Sequence, residues 1–226
     1  MNEKYRLFNQ LTADQLRRKQ EFCNVLVRFI PREAVEYCAE LIIFYDLHLH
    51  VENERKSKYG DYSPHSGKGN RISINFNLSK FDFLITFIHE LSHHTAFIKY
   101  GQKHDPHGEE WKNEFKKNMI PFYEHEILFP KDLKTVIAKH MQNPKYSHAA
   151  DLKLLQTLKK YDEKKANTIT LSDLKNGTLF KMKDYPDVLR RIEKLRTYIL
   201  CEAENGKKFR VHAMVEVTVI ENQKDD

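Results

Sequence analysis

The feature that most constrains this chain is a stretch in which Phe81, Leu84, Ile85, Ile88, Leu91 and Phe97 recur at helical spacing. It predicts a helix capped by Ser79 or Asp82, running to Tyr100 and ended by Gly101. On that helix falls the string His89-Glu90-Leu91-Ser92-His93. Two imidazoles four residues apart share one face, one turn from each other, and can grip one metal ion. Glu90 lies beside the first of them, where its carboxylate reaches a water on the metal rather than the metal itself. His94 points about 100° away around the helix, so it cannot join the same ion.

A zinc ion that does chemistry needs three protein ligands and one open position. The pattern with glycine at 96 and histidine at 99 is excluded, because this chain has Ala96 and Lys99 there. A glutamate on a following helix, Glu110 or Glu114, is one option for the third ligand, and His104 or His107 is the other. His107 is preferred. It precedes Gly108 at the start of a predicted helix, and the 13 residues after His93 can turn the chain back. The reading is a metal-activated water with Glu90 as base, an arrangement that serves hydrolysis. Tyr100, His104 and Tyr123 are candidates for one further donor to a developing oxyanion.

The rest of the chain reads as α+β. Thr12 with Gln15 forms a capping box for a first helix. Pro31 is suited to the first position of a second helix, which turns Val35, Cys38, Leu41 and Ile42 inward. Leu47, Leu49 and Val51 alternate with His48 and His50 as a strand. A polar turn or hairpin fills 52–70. A second strand follows over 71–78, with Ile72, Ile74 and Phe76 inward and Ser73, Asn75 and Asn77 on a polar face. That strand is expected to border the cleft and to pair with an extended substrate, the alternative being that it is internal to the sheet. Further helices are expected over 108–119, 131–141 and 149–161. From 167 the pattern returns to strands, at 197–202 and 209–220, around the hairpin signal Asn205-Gly206. The expected organisation is therefore 1–145 as the main domain, 146–166 as a helical connector and linker, and 167–226 as a β-rich module.

The chain's 226 residues and 40% hydrophobic content allow a proper core. No apolar run of about 18 residues occurs, so no membrane-spanning helix is expected. The first residues lack the basic start and apolar core of a secretory signal. Cys23, Cys38 and Cys201 are odd in number and far apart, which argues against a disulfide framework. A reduced, cytoplasmic setting is the expectation. The net charge of +6 permits polyanion partners without demanding them. The alternative function is thus a nucleic-acid-binding protein with a structural zinc. Its phosphate contacts would come from Lys153, Lys159, Lys160, Lys164, Lys165, Arg190, Arg191, Lys194, Arg196 and Lys208, with Tyr161, Phe180 and Phe209 for stacking. Glu90 separates the two readings, because a structural site has no need of a carboxylate beside an open metal position.

Over 71–111 the chain resembles the SprT-like (Spartan-type) metallopeptidase family. The resemblance rests on a strand, then His89-Glu-Leu-Ser-His93 on a helix, then a loop and His107-Gly-Glu-Glu-Trp111 opening another helix. It implies a zincin-like fold, with helices packed on a small sheet and the metal-binding helix at the core. It implies zinc on His89, His93 and His107, Glu90 as catalytic acid/base, and Trp111 packing behind the site. It also implies cleavage of protein or peptide substrates. For the family's eukaryotic members those substrates are proteins crosslinked to DNA, which adds DNA as an expected partner. The chain departs from the family in its tail. Only Cys201 stands where many members carry the paired cysteines of a zinc ribbon, so one zinc per chain is expected.

Overall fold

The computed structural model describes residues 5–8, 10–55, 57–64, 69–147 and 150–220. The chain divides into two compact units, Met1–His148 and Ala149–Asp226. Among the described residues there are six α-helices and two small sheets, an α+β fold. No helix of these residues is long and apolar enough to cross a membrane.

In the first unit, α1 (Ala13–Leu26) opens with the expected capping box of Thr12 and Gln15. Helix α2 (Arg32–Phe44) starts one residue later than expected, because Pro31 has extended backbone and serves as its N-cap. Its inward residues Val35, Cys38, Leu41 and Ile42 are all buried. Strands β1 (Leu47–Glu52), β2 (Gly60–Ser63) and β3 (Asn70–Asn75) form a sheet in the order β1-β3-β2. Strand β1 runs parallel to β3, and β2 runs antiparallel to it.

Helix α3 (Lys80–Tyr100) lies against β2 and β3 on one side and α4 (Glu109–Tyr123) on another. At 21 residues it is roughly 31 Å long. Ser79 caps its start, accepting from the Asp82 amide at 3.4 Å and donating to the Asp82 carboxylate at 2.7 Å. Phe83, Leu84, Ile85, Phe87, Ile88 and Leu91 are almost wholly buried. A helix that is apolar around most of its girth belongs in the middle of a domain. Helix α4 runs on past the expected end, with Pro121 inside it, and α5 (Lys131–Gln142) closes the unit.

The strand 71–78 departs from expectation in three ways. It ends at Asn75, and Phe76 is 51% exposed. Its polar residues Ser73 and Asn75 are fully buried. It is also the central strand, hydrogen-bonded on both sides, so its backbone cannot receive a substrate. Alternation told which residues share a face. It could not tell that Arg55, from the segment read as a turn, covers the polar one.

The second unit holds α6 (Leu152–Lys159) and a five-stranded antiparallel sheet. Its strands are β4 (Leu179–Met182), β5 (Tyr185–Lys194), β6 (Tyr198–Ala203), β7 (Lys208–His212) and β8 (Val217–Val219), in the order β7-β6-β5-β4-β8. The region read as one strand over 209–220 is two, and β8 returns to pair with β4. Phe180, Leu189, Ile199, Cys201 and Ala203 form the core. Leu171 belongs to a 3-10 turn held by Thr170 and Asp173. Helix α6 is part of this unit and not of a separate connector, because Leu154 and Leu158 are buried and Leu152 packs on the core.

Gly101 ends α3 at φ 71° and ψ −157°, a backbone conformation populated essentially by glycine alone. A Cβ there would meet nothing within 4 Å, so only the backbone is at issue. Gly101→Ala is expected to cost about 1–3 kcal/mol in urea unfolding, with no change in the contacts of the site described below.

Candidate metal centre

Helix α3 carries His89 and His93 on adjacent turns, and the residue just before the N-cap of α4 brings in His107. Gly108 permits that approach: a Cβ there would lie 2.9 Å from the Cβ of Asp105. The three Nε2 atoms stand 3.2 Å (His89 to His93), 3.1 Å (His93 to His107) and 3.3 Å (His89 to His107) apart. Each Nε2 has one in-plane position, occupied by either a proton or a lone pair. A closed triangle of hydrogen bonds is therefore impossible, since no member can donate and accept at once. Three lone pairs turned to one point suit a cation. A tetrahedral ion with bonds of roughly 2.0–2.1 Å to nitrogen sets its ligands about 3.3 Å apart, which is the spacing seen. The three histidines are close enough to hold a metal ion, and among the described residues they are the one such group.

The electrostatics favour neutral rings. Burial, followed by the nearby His107 and His104, holds His93 down at about 3. Burial also lowers His107. Unprotonated imidazoles keep their lone pairs for a metal.

Glu90 is 6% exposed, facing β2. Burial pushes its carboxyl up to about 8, with a further push from Asp61, while Arg55, Lys58 and the Tyr62 backbone N–H act the other way. A divalent cation held by the three rings would pull it back toward the ionised form. The space for this carboxyl exists because residue 60 is glycine. A Cβ on Gly60 would lie 2.6 Å from Glu90 Oε1 and 2.6 Å from Thr86 Cγ2.

Behind the histidines lies Trp111, fully buried. Its ring centroid is 4.7 Å from that of His89, 5.4 Å from His93 and 4.9 Å from His107. Trp111 stacks in turn on Phe115. Tyr146, 69% exposed, lies with its ring 6.5 Å from that of His107. His94 faces away from the centre as its position on the helix requires, fully buried with Nδ1 3.2 Å from the Tyr62 hydroxyl.

The other candidates for third ligand lie elsewhere. Glu114 is held by Lys99 at 3.1 Å and Lys117 at 2.9 Å. Glu110 and His104 are outside the metal-binding group. The Nδ1 of His104 pairs with the Gly101 carbonyl at 2.7 Å. Tyr100 and Tyr123 lie under the ammonium groups of Lys99 and Lys134. Sequence reasoning missed Gly60 and Tyr62, since a four-residue strand inside a polar segment leaves almost no periodic signal. Of the basic residues read as phosphate contacts, Arg191 is buried beside Asn176, and Lys159 is engaged by Thr168 and Asp173. Phe180 is core.

Comparison of the chain with family models, curated proteins and solved structures returned no match. The site is therefore read from its own geometry.

Trp111 is the sole tryptophan, so it reports on the centre directly. Titration with Co2+ or Cu2+ is expected to quench its emission and to saturate at one equivalent. In His107→Ala the midpoint should weaken by more than the roughly 10–100-fold that follows loss of a ligand's outer partner. Unchanged affinity in that variant would mean that the three rings do not share an ion.

Proposed function

We propose that this chain is a zinc-dependent metallopeptidase of the SprT-like type, with a zincin-like catalytic unit. The observation that supports this best is the convergence of three imidazoles on one point, with Glu90 as the adjoining residue on the same helix. Three nitrogen ligands with a fourth position left open suit catalytic zinc. Zinc, when bound, supplies a positive charge that lowers the pKa of a water to about 7 and polarises a carbonyl.

The chain's own residues supply the remainder. Ionised Glu90 would take the proton of the attacking water as the new carbon–oxygen bond forms, and then pass it to the amine nitrogen as the carbon–nitrogen bond of the tetrahedral species breaks. The walls around Glu90 exclude bulk water from that proton transfer. Trp111 fixes the ring planes of the three ligands from behind.

Substrate backbone is assigned to β2 in place of β3. The Asn75 amide donates to the Tyr59 carbonyl at 2.9 Å, which makes 59–75 a hydrogen-bonded pair of the antiparallel ladder. By alternation the main-chain groups of Asp61 and Ser63 face β3, and those of Gly60 and Tyr62 face outward. An extended segment can dock on that outward edge beside Glu90.

DNA association is the second element of the proposal, supported by one observation. Lys181, Arg190, Lys208 and Arg210 are exposed and share the face of the second sheet opposite its core, with Glu202 between Arg190 and Lys208 in the ladder. These four cations offer phosphate contacts.

The test is cleavage of casein and of a DNA-binding protein by zinc-loaded enzyme, with and without single- and double-stranded DNA. Glu90→Gln is expected to keep its zinc and to lose roughly 10²–10⁴-fold in rate. Equal cleavage by that variant would sink the mechanism, and cleavage indifferent to DNA would remove the second element. Gly60→Ala provides a subtler check. The added methyl displaces Glu90 or Thr86, so the rate is expected to fall while Trp111 still reports full metal binding.

A further inference from the structure

Strand β2 has four residues, pairs on one side only, and stands between a segment at 53–59 and another at 64–69. A strand so short and singly paired is marginal without added support. Yet its first residue, Gly60, must sit against Glu90 with no room to spare. Something has to hold it there.

The support comes from the polar face of β3. Arg55 donates through Nε to the Asn75 side-chain carbonyl at 2.8 Å, through Nη1 to Ser73 Oγ at 3.0 Å, and through Nη2 to the Ser73 backbone carbonyl at 3.3 Å. Asn75 answers with its own amide, donating to the Arg55 carbonyl at 3.1 Å and the Lys58 carbonyl at 2.9 Å. Its backbone N–H takes the Tyr59 carbonyl. Asn75 thus ties down residues 55, 58 and 59, and Gly60 follows at once. All three acceptors of Arg55 are uncharged, so the guanidinium is retained here for its fork of donors as well as its charge.

We propose that Arg55, Ser73 and Asn75 form a latch that positions β2 over Glu90, which makes Arg55 and Asn75 positioning residues for the chemistry at the metal centre. The latch lies on the far face of the sheet and touches neither the metal ligands nor Glu90. Its geometric effect passes through β2, and the charge by which Arg55 also acts on Glu90 at a distance is kept in Arg55→Lys. Displacements of about 1 Å in a reacting group can cost about 100-fold in rate, so loosening β2 acts on turnover more than on affinity for the metal. The catalytic half of this proposal rests on the peptidase reading.

The experiment compares Asn75→Ala, Arg55→Lys and the milder Ser73→Ala with the parent in three measurements. The first is metal affinity by Trp111 quenching, expected to stay within about twofold. The second is hydrogen exchange at the Asp61 and Ser63 amides, expected to accelerate while α3 is unchanged. The third is turnover per metal-loaded molecule, expected to drop roughly 10–100-fold in kcat with a smaller change in KM. Arg55→Lys keeps the charge and loses the fork, so near-parent turnover in that variant would overturn the geometric role. A lower melting temperature with exchange and kcat at parent values in all three would also overturn the proposal, leaving only a structural contact. If the parent shows no Glu90-dependent cleavage, the peptidase reading fails. Exchange at β2 then decides the latch by itself: faster exchange confined to β2 supports it, and unchanged exchange refutes it.

Discussion

Three imidazoles can hold their lone pairs toward one point only if something rigid carries them, and here that carrier is α3. Its Phe83, Leu84, Phe87, Ile88 and Leu91 are buried on several sides at once. A helix gripped in this way cannot roll, so His89 and His93 keep their relation to whatever α4 presents. What α4 presents is Trp111, whose ring touches all three histidines. The aromatic floor and the ligands are thus one packed unit. The burial that fixes them also keeps the rings neutral, since charging a desolvated imidazole is costly.

The same burial creates obligations for polar groups. Ser73 and Asn75, inside the sheet's covered face, are satisfied by Arg55. Ser92 donates to the Ile88 carbonyl and receives from Asn118, which also reaches Thr95. Other buried polar atoms have no partner among the described residues, and two of them, Thr86 Oγ1 beside Glu90 and Trp111 Nε1 behind the histidines, lie next to the centre. Unsatisfied buried groups cost about 1–3 kcal/mol each.

The second unit obeys simpler rules. Its inward residues alternate along β4, β5 and β6, and Lys181, Arg190 and Lys194 are exposed while Arg191 is buried. Cys201 is a buried core residue whose thiol is raised to about 11 by desolvation, a small apolar side chain in effect.

Local rules read from the sequence sufficed wherever the cause of structure was local. The capping box at Thr12, the glycine end of α3, the pairing of His89 with His93 on one helix face, and the Asn205-Gly206 turn all depend on residues within a few positions of one another. The approach of His107 to His89 and His93 was legible because a glycine and a helix start mark where the chain turns back. What tertiary structure alone decided was which face of β3 is covered, which strand is the free edge, and what borders Glu90. Those depend on Arg55 reaching across 18 residues to Ser73 and on Gly60 meeting a helix 30 positions further along the chain. Period-two alternation assigns side chains to faces but carries no record of what will lie over them. The sequence by itself determined the histidine triad that could hold a metal and the helix that bears two of its members, and the packing of distant segments decided how Glu90 is enclosed.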